Sequence, residues 1–279
     1  MKPMRSHRWL IFLGVLALAV SPYARGYDGQ TVRFHLYGNY LVVAKGSVGS
    51  LKGLNFLVDT GTSPAVVDQR LAHRLHLQEQ SVNVAVIGGS VPGGESVVRT
   101  LEFGPLRRDH LPVLVEDLSF FEKTFGVEID AIIGLDLLGV SPVLIDYRSR
   151  EIHFGSVPAL ETSLLFHLEE GLPVVNVEVD HVSAQLLFDT GASSLVMFGA
   201  PRDPSKPMKI NVTIGEFERK RVSLQSLKFG NTEFGRESAF LVERRGSESR
   251  AFDGLMSPAA LGITKVAIDQ GRGVLSFTR

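Results

Sequence analysis

A chain of 279 residues has room for one large domain or two small ones. Its 44 % hydrophobic and 21 % charged composition supports a buried core and excludes a wholly disordered chain. The formal charge of −1 gives no basic surface for nucleic acid, and the lack of cysteine excludes a disulfide framework, a thiolate metal site and a cysteine nucleophile.

Lys2, Arg5 and Arg8 precede an apolar run from Trp9 to Val20, and Ala24-Arg25-Gly26 offers small residues for cleavage before Tyr27. This is the anatomy of a signal peptide over residues 1–26, and the run is too short for a comfortable membrane span. The expected product is exported, periplasmic or secreted, with no stable membrane span after cleavage. The alternative is retention by an uncleaved anchor. Residues 1–26 hold four basic and no acidic side chains, so their removal takes the formal charge from −1 to −5.

From there the chain reads mainly as strands. Thr31–Leu36 and Tyr40–Ala44 are β-rich and separated by Gly38-Asn39. An apolar run then ends abruptly in Phe56-Leu57-Val58-Asp59-Thr60-Gly61-Thr62-Ser63. From Ser63 to Leu77 the spacing of Val67, Leu71 and Leu75 predicts one amphipathic helix, capped by Ser63 with Pro64 in its first turn. His73 and His76 fall on it without a same-face set of partners for a metal.

Strands around Val82 and Val98 flank Ile87-Gly88-Gly89-Ser90-Val91-Pro92-Gly93-Gly94, which reads as a glycine-rich hairpin tip. No helix follows these glycines, so they do not form a phosphate loop. A strand over Leu111–Val115 leads to a loop rich in phenylalanine at Phe120, Phe121 and Phe125. Asp130-Ala131-Ile132-Ile133-Gly134 precedes a short helix expected over Leu135–Gly139, and a hairpin over Arg148-Ser149-Arg150 closes the half.

The order then repeats. Phe34-His35-Leu36 returns as Phe166-His167-Leu168, and Ile145-Asp146 returns as Ile268-Asp269. Leu186-Leu187-Phe188-Asp189-Thr190-Gly191-Ala192-Ser193 repeats the apolar run and its ending. Ser257 stands where the first half has Gly134. Pro201–Pro207 reads as loop, and the hairpin expected near Ile214–Glu218 is charged, with one glycine. The halves divide as 27–157 and 164–279, with a polar junction near Ser156–Ser163.

Two Asp-Thr-Gly triplets in matching contexts at half-chain spacing resemble the active-site motifs of pepsin-like and retropepsin-like aspartic proteases. The resemblance implies a mainly β fold of two homologous retropepsin-like β-barrel lobes with short helices. It further implies a pseudo-two-fold axis and an active-site cleft between the lobes. Asp59 and Asp189 would be catalytic, with Thr60, Gly61, Thr62, Thr190 and Gly191 supporting the dyad. Ile87, Gly88, Gly89, Gly93 and Gly94 would belong to a flap over substrate, although pepsin-like flaps carry a tyrosine and this segment has none. Ile132, Ile133, Gly134, Leu255 and Met256 would pack beside the aspartate loops.

Two carboxyl groups held together cannot both ionise cheaply, so the pair shares a proton. The ionised member can activate water while the protonated member polarises a peptide carbonyl. This chemistry needs no cofactor and no metal. Thr62 offers a hydroxyl three residues after Asp59, where Ala192 offers none after Asp189, so Asp59 is expected to carry the charge. The leading expectation is a monomeric aspartic endopeptidase acting on peptide or protein. The alternatives are a non-catalytic peptide-binding protein and a structural β-rich envelope protein.

Overall fold

The computed structural model describes residues 29–86, 89–199, 208–211, 216–242 and 252–279. The signal peptide expected over 1–26, Ile87 and Gly88, and the loop expected over Pro201–Pro207 lie outside them. Among the described residues, 22 strands join one mixed sheet, with three short helices. No helix among them is long and apolar enough to cross a membrane.

The first half runs β1 (Gln30–Tyr37), β2 (Leu41–Val48), β3 (Leu51–Val58) and β4 (Val66–Asp68), then α1 (Gln69–Arg74). It continues through β5 (Gln80–Val86), β6 (Gly89–Phe103), β7 (Leu106–Glu116) and α2 (Ser119–Phe125). β8 (Ala131–Ile133), α3 (Leu135–Leu138), β9 (Val143–Asp146) and β10 (Glu151–Phe154) complete it. β3 pairs parallel with β8, and β4 is inserted between β7, parallel, and β8, antiparallel.

The second half begins with β11 (Thr162–Glu169), β12 (Leu172–Val179), β13 (Val182–Phe188) and β14 (Leu195–Phe198). β15 (Met208–Asn211), β16 (Glu216–Leu224), β17 (Leu227–Phe229), β18 (Thr232–Phe234) and β19 (Glu237–Val242) follow. β20 (Gly254–Met256), β21 (Lys265–Asp269) and β22 (Val274–Thr278) end it. The pairings of the first half recur: β13 pairs parallel with β20, and β14 sits between β19, parallel, and β20, antiparallel.

One antiparallel ladder ties the halves together, in the order β1, β10, β9, β21, β22, β11. Its seam is β9 against β21, where Leu144 faces Ala267 and Ile145 faces Val266. Lys265 Nζ reaches Asp146 Oδ2 at 2.9 Å across the same seam. Burial explains why these short segments are strands. Val143, Ile145, Val266 and Ile268 are at most 1 % exposed, and their β-branched side chains suit a pleated, covered surface.

β2 shows how the core is layered. Its residues alternate faces, so Val42 and Ala44 enter the main core while Leu41 and Val43 enter a second cluster with Leu57, Ile132 and Phe121. Half-buried Tyr40, Phe120 and Phe125 pack against that second cluster.

Three local expectations are corrected. The helix expected from Ser63 begins only at Gln69, because Val66 and Val67 are buried as the strand between β7 and β8. Asp68, not Ser63, caps that helix by accepting the Arg70 N–H at 2.9 Å. The phenylalanine-rich loop is the helix α2, which drives Phe121 into the core and ends at left-handed Gly126.

The glycine-rich segment is not one long tip either. β6 begins at Gly89, and Val86 pairs with Gly89, so two residues connect β5 to β6. Gly93 and Gly94 lie within the ladder, where a Cβ on Gly93 would sit 2.7 Å from Val84 Cγ2. The short helix expected after Gly134 is present as α3.

The seam generates a prediction. Ile145→Ala opens a void at a fully buried position shared by both halves, and about 2–5 kcal/mol of stability is expected to be lost. Urea denaturation followed by circular dichroism measures it; a loss within error of zero would contradict the packing described.

Candidate active site

β3 and β13 each end on the aspartate of an Asp-Thr-Gly triplet, and each ending is fixed from its own half. The Asp59 N–H donates to the Ile133 carbonyl at 3.0 Å, and the Asp189 N–H donates to that of Met256 at 2.9 Å. Ile132, Ile133, Leu255 and Met256 therefore lie where the sequence places them, one strand over from the aspartates. A further matched pair of carboxylates grips each strand four residues before its aspartate. Asp130 accepts the Asn55 N–H at 2.7 Å and Asp253 accepts that of Gln185 at 3.0 Å. The repeat makes these two carboxylates visible in the sequence, but not their role as clamps on the strands leading to the site.

Between the halves, the threonines interlock. The Thr60 N–H donates to Thr190 Oγ1 at 3.0 Å, and the Thr190 N–H donates to Thr60 Oγ1 at 3.1 Å. Each hydroxyl then donates onward across the interface, Thr60 to the Phe188 carbonyl at 2.6 Å and Thr190 to the Val58 carbonyl at 3.2 Å. Both threonines are buried. Both N–H groups and both hydroxyls in the knot have partners, which is the condition for burying them without penalty.

The knot leaves room only for glycine on either side. A Cβ on Gly61 would lie 2.6 Å from Asp189 Cγ, and one on Gly191 would lie 2.5 Å from Asp59 Cγ. Each loop's glycine thus presses on the other loop's carboxyl group, and the two carboxyls hydrogen-bond to each other. The Gly61 N–H donates to Asp59 Oδ1 at 2.8 Å, and the Gly191 N–H donates to Asp189 Oδ1 at 2.8 Å.

The two carboxyls differ in surroundings. Asp189 is 9 % exposed. Burial pushes its carboxyl well above the ordinary carboxylate range; the Asp59 charge and the hydrogen bond that protonated Asp189 gives Asp59 add to this, against the Gly191 and Ala192 N–H donors. Asp59 is more open and accepts the Thr62 hydroxyl on Oδ2 at 3.0 Å.

Two tyrosines within reach of the pair escape a reading of the sequence. Burial first, then the Asp189 and Asp59 charges, raise the Tyr40 phenol. Burial and the Asp189 charge raise that of Tyr147. Tyr40 stands edge-on to Phe125, centroids 5.9 Å apart, so a half-buried aromatic face borders the carboxyls from the turn before β2. The flap segment lacks a tyrosine; this one comes from elsewhere in the chain. Of the expected flap residues, Gly89, Gly93 and Gly94 lie on β6, and Ile87 and Gly88 lie outside the described residues.

The knot can be tested without any assay of activity. Thr60→Ala leaves the Thr190 N–H and the Phe188 carbonyl unpaired in a buried interface, at a cost of about 2–4 kcal/mol. Thr60→Ser keeps the hydroxyl and costs about 1 kcal/mol. Unfolding free energies of the two variants measure the difference, and equal values would show that the hydroxyl is dispensable.

No curated protein matches the chain. The stretch that does match a known family holds Asp59, β4 to β7 and Ile132–Gly134, and stops well short of Asp189. Residues 44–137, the part of the chain that carries Asp59, match the family model described as aspartyl protease.

Proposed function

We propose that the chain is an exported aspartic endopeptidase whose catalytic pair is Asp59 and Asp189. The observation that carries this reading is the reciprocal Thr60–Thr190 exchange, which sets two identical triplets face to face with their carboxyls in contact.

The reading includes two homologous retropepsin-like lobes, 27–157 and 164–279, about a pseudo-two-fold axis. The seam register supports it. Leu144 faces Ala267, and these residues are 123 apart, the same offset that relates Ile145-Asp146 to Ile268-Asp269. A strand facing its own counterpart is what an axis through the seam requires. The recurrence of the β3–β8 and β4 pairings in β13–β20 and β14 supports it independently. Export rests on the sequence of residues 1–26 alone.

In the mechanism, a water lies between the carboxyls. Ionised Asp59, assisted by the Thr62 hydroxyl, takes a proton from it. Protonated Asp189, whose burial favours the neutral form, donates to the peptide carbonyl. Attack gives a tetrahedral diol. Its collapse, with protonation of the leaving nitrogen, releases a carboxylic acid and an amine. The β5–β6 hairpin would close over the substrate as a flap; β5 pairs with β6 alone among the described residues. The aromatic face of Tyr40, Phe120 and Phe125 favours unfolded, apolar stretches of protein as substrates.

Cleavage of a denatured protein between pH 3 and 7 tests the reading. It should be blocked by a statine-type peptide and lost, by about a thousandfold or more, in both Asp59→Asn and Asp189→Asn. Activity that survives either change would exclude a shared pair.

Thr62→Ala tests the division of labour. Without the hydroxyl the charged form of the pair is less favoured, so the lower of its two apparent pKa values rises. Protonation then ends activity at a higher pH, and the acid limb of the rate profile should move up by about half a unit to one unit. An unmoved limb would place the charge on Asp189 instead.

A further inference from the structure

The loops after the two aspartates are seated by different chemistry. Behind the Asp59 loop, a Cβ on Gly134 would lie 1.9 Å from the Thr62 carbonyl oxygen, so the backbones touch directly and only glycine fits. Behind the Asp189 loop stands Ser257, fully buried. Its Oγ donates to the Ala192 carbonyl at 2.6 Å and accepts the Ala260 N–H at 3.2 Å. Ala192 is the counterpart of Thr62, and it directly follows Gly191, whose N–H donates to Asp189 Oδ1 at 2.8 Å. The half that lacks a hydroxyl in front of its carboxyl thus has one behind its loop.

We propose that Ser257 is a positioning residue for Asp189: its hydroxyl latches the Ala192 carbonyl and so holds the loop that aims the Gly191 N–H at the carboxyl. The serine is then a working substitute for the glycine of the first half. It holds the loop by a hydrogen bond at a distance that backbone contact does not bridge. Its kinetic consequence rests on the endopeptidase reading. The groups facing Asp189 are the Asp59 carboxyl and the Tyr40 and Tyr147 phenols. Both phenols stay protonated across the working range, so the titration concerned is that of the carboxyl pair.

Removing the latch frees Ala192 and weakens a donor that favours ionised Asp189. The upper apparent pKa of the pair therefore rises, and the alkaline limb of the rate profile moves to higher pH. In Ser257→Ala we expect kcat to fall about tenfold with KM within about twofold, together with that upward shift. Leu261→Ala is the control for lost packing, because Leu261 is buried in the main core four residues after Ser257 and brings no hydroxyl to the loop. It should lower the Tm and leave the limb in place.

A limb unmoved in Ser257→Ala, or moved as far in Leu261→Ala, overturns the proposal. Carboxyl carbon-13 shifts of the pair, followed through pH in the unsubstituted chain and in Ser257→Ala, give a readout independent of turnover. If the unsubstituted chain cleaves nothing, the endopeptidase reading fails by itself. An upper titration raised in Ser257→Ala then still supports the latch, and an unchanged one refutes it.

Discussion

Two threonine hydroxyls make the site a property of the whole chain rather than of either half. A buried hydroxyl or amide without a partner costs more than a good hydrogen bond returns, so such groups dictate their surroundings. Thr60 and Thr190 each satisfy the other's N–H and a carbonyl beyond it. Neither loop can meet its own requirements alone. Everything else at the site follows from that closure, including the pressing of each glycine on the opposite carboxyl and the contact between the carboxyls themselves.

Symmetry of the backbone coexists with asymmetry of the charge. Both aspartates receive their glycine's N–H at the same 2.8 Å. Beyond that the environments part. The Asp59 side has the Thr62 hydroxyl in front, and the Asp189 side has deep burial, two phenols nearby and a serine behind its loop. A duplicated fold under a shared backbone constraint can diverge only where side chains face the pair, and the differences lie there. These surroundings make two chemically identical groups unequal, and on the proposed mechanism that inequality divides them into a proton acceptor and a proton donor.

How much of this is legible in the sequence depends on the range of the interaction. The aspartate loops and their flanking strands are plain, because motif, apolar run and repeat offset agree. The stretch after Ser63 misleads, because Val67 and Leu71 fit a helical spacing while tertiary pairing holds Val66 and Val67 in a strand. Phe120, Phe121 and Phe125 carry a helical spacing of their own, obscured by the brevity of α2. Tyr40 has no local signal at all; only the folded chain brings it beside the carboxyls. Ser257 is conspicuous as a departure from glycine, but the 2.6 Å contact that gives it a role exists only in three dimensions.

The seam between β9 and β21 joins segments more than a hundred residues apart, and it is completed by the last strands of the chain. Such distant pairings form late, after most of the entropy of closing the chain has been lost. During synthesis the first half emerges with Asp59 already in its loop, but without Thr190 to lock that loop or a second carboxyl to share its proton. The nascent chain therefore carries one carboxyl of the pair without the other. On the endopeptidase reading proposed above, hydrolysis waits until the ribosome has delivered the second half, so the cell that makes the chain has a period of safety during its synthesis.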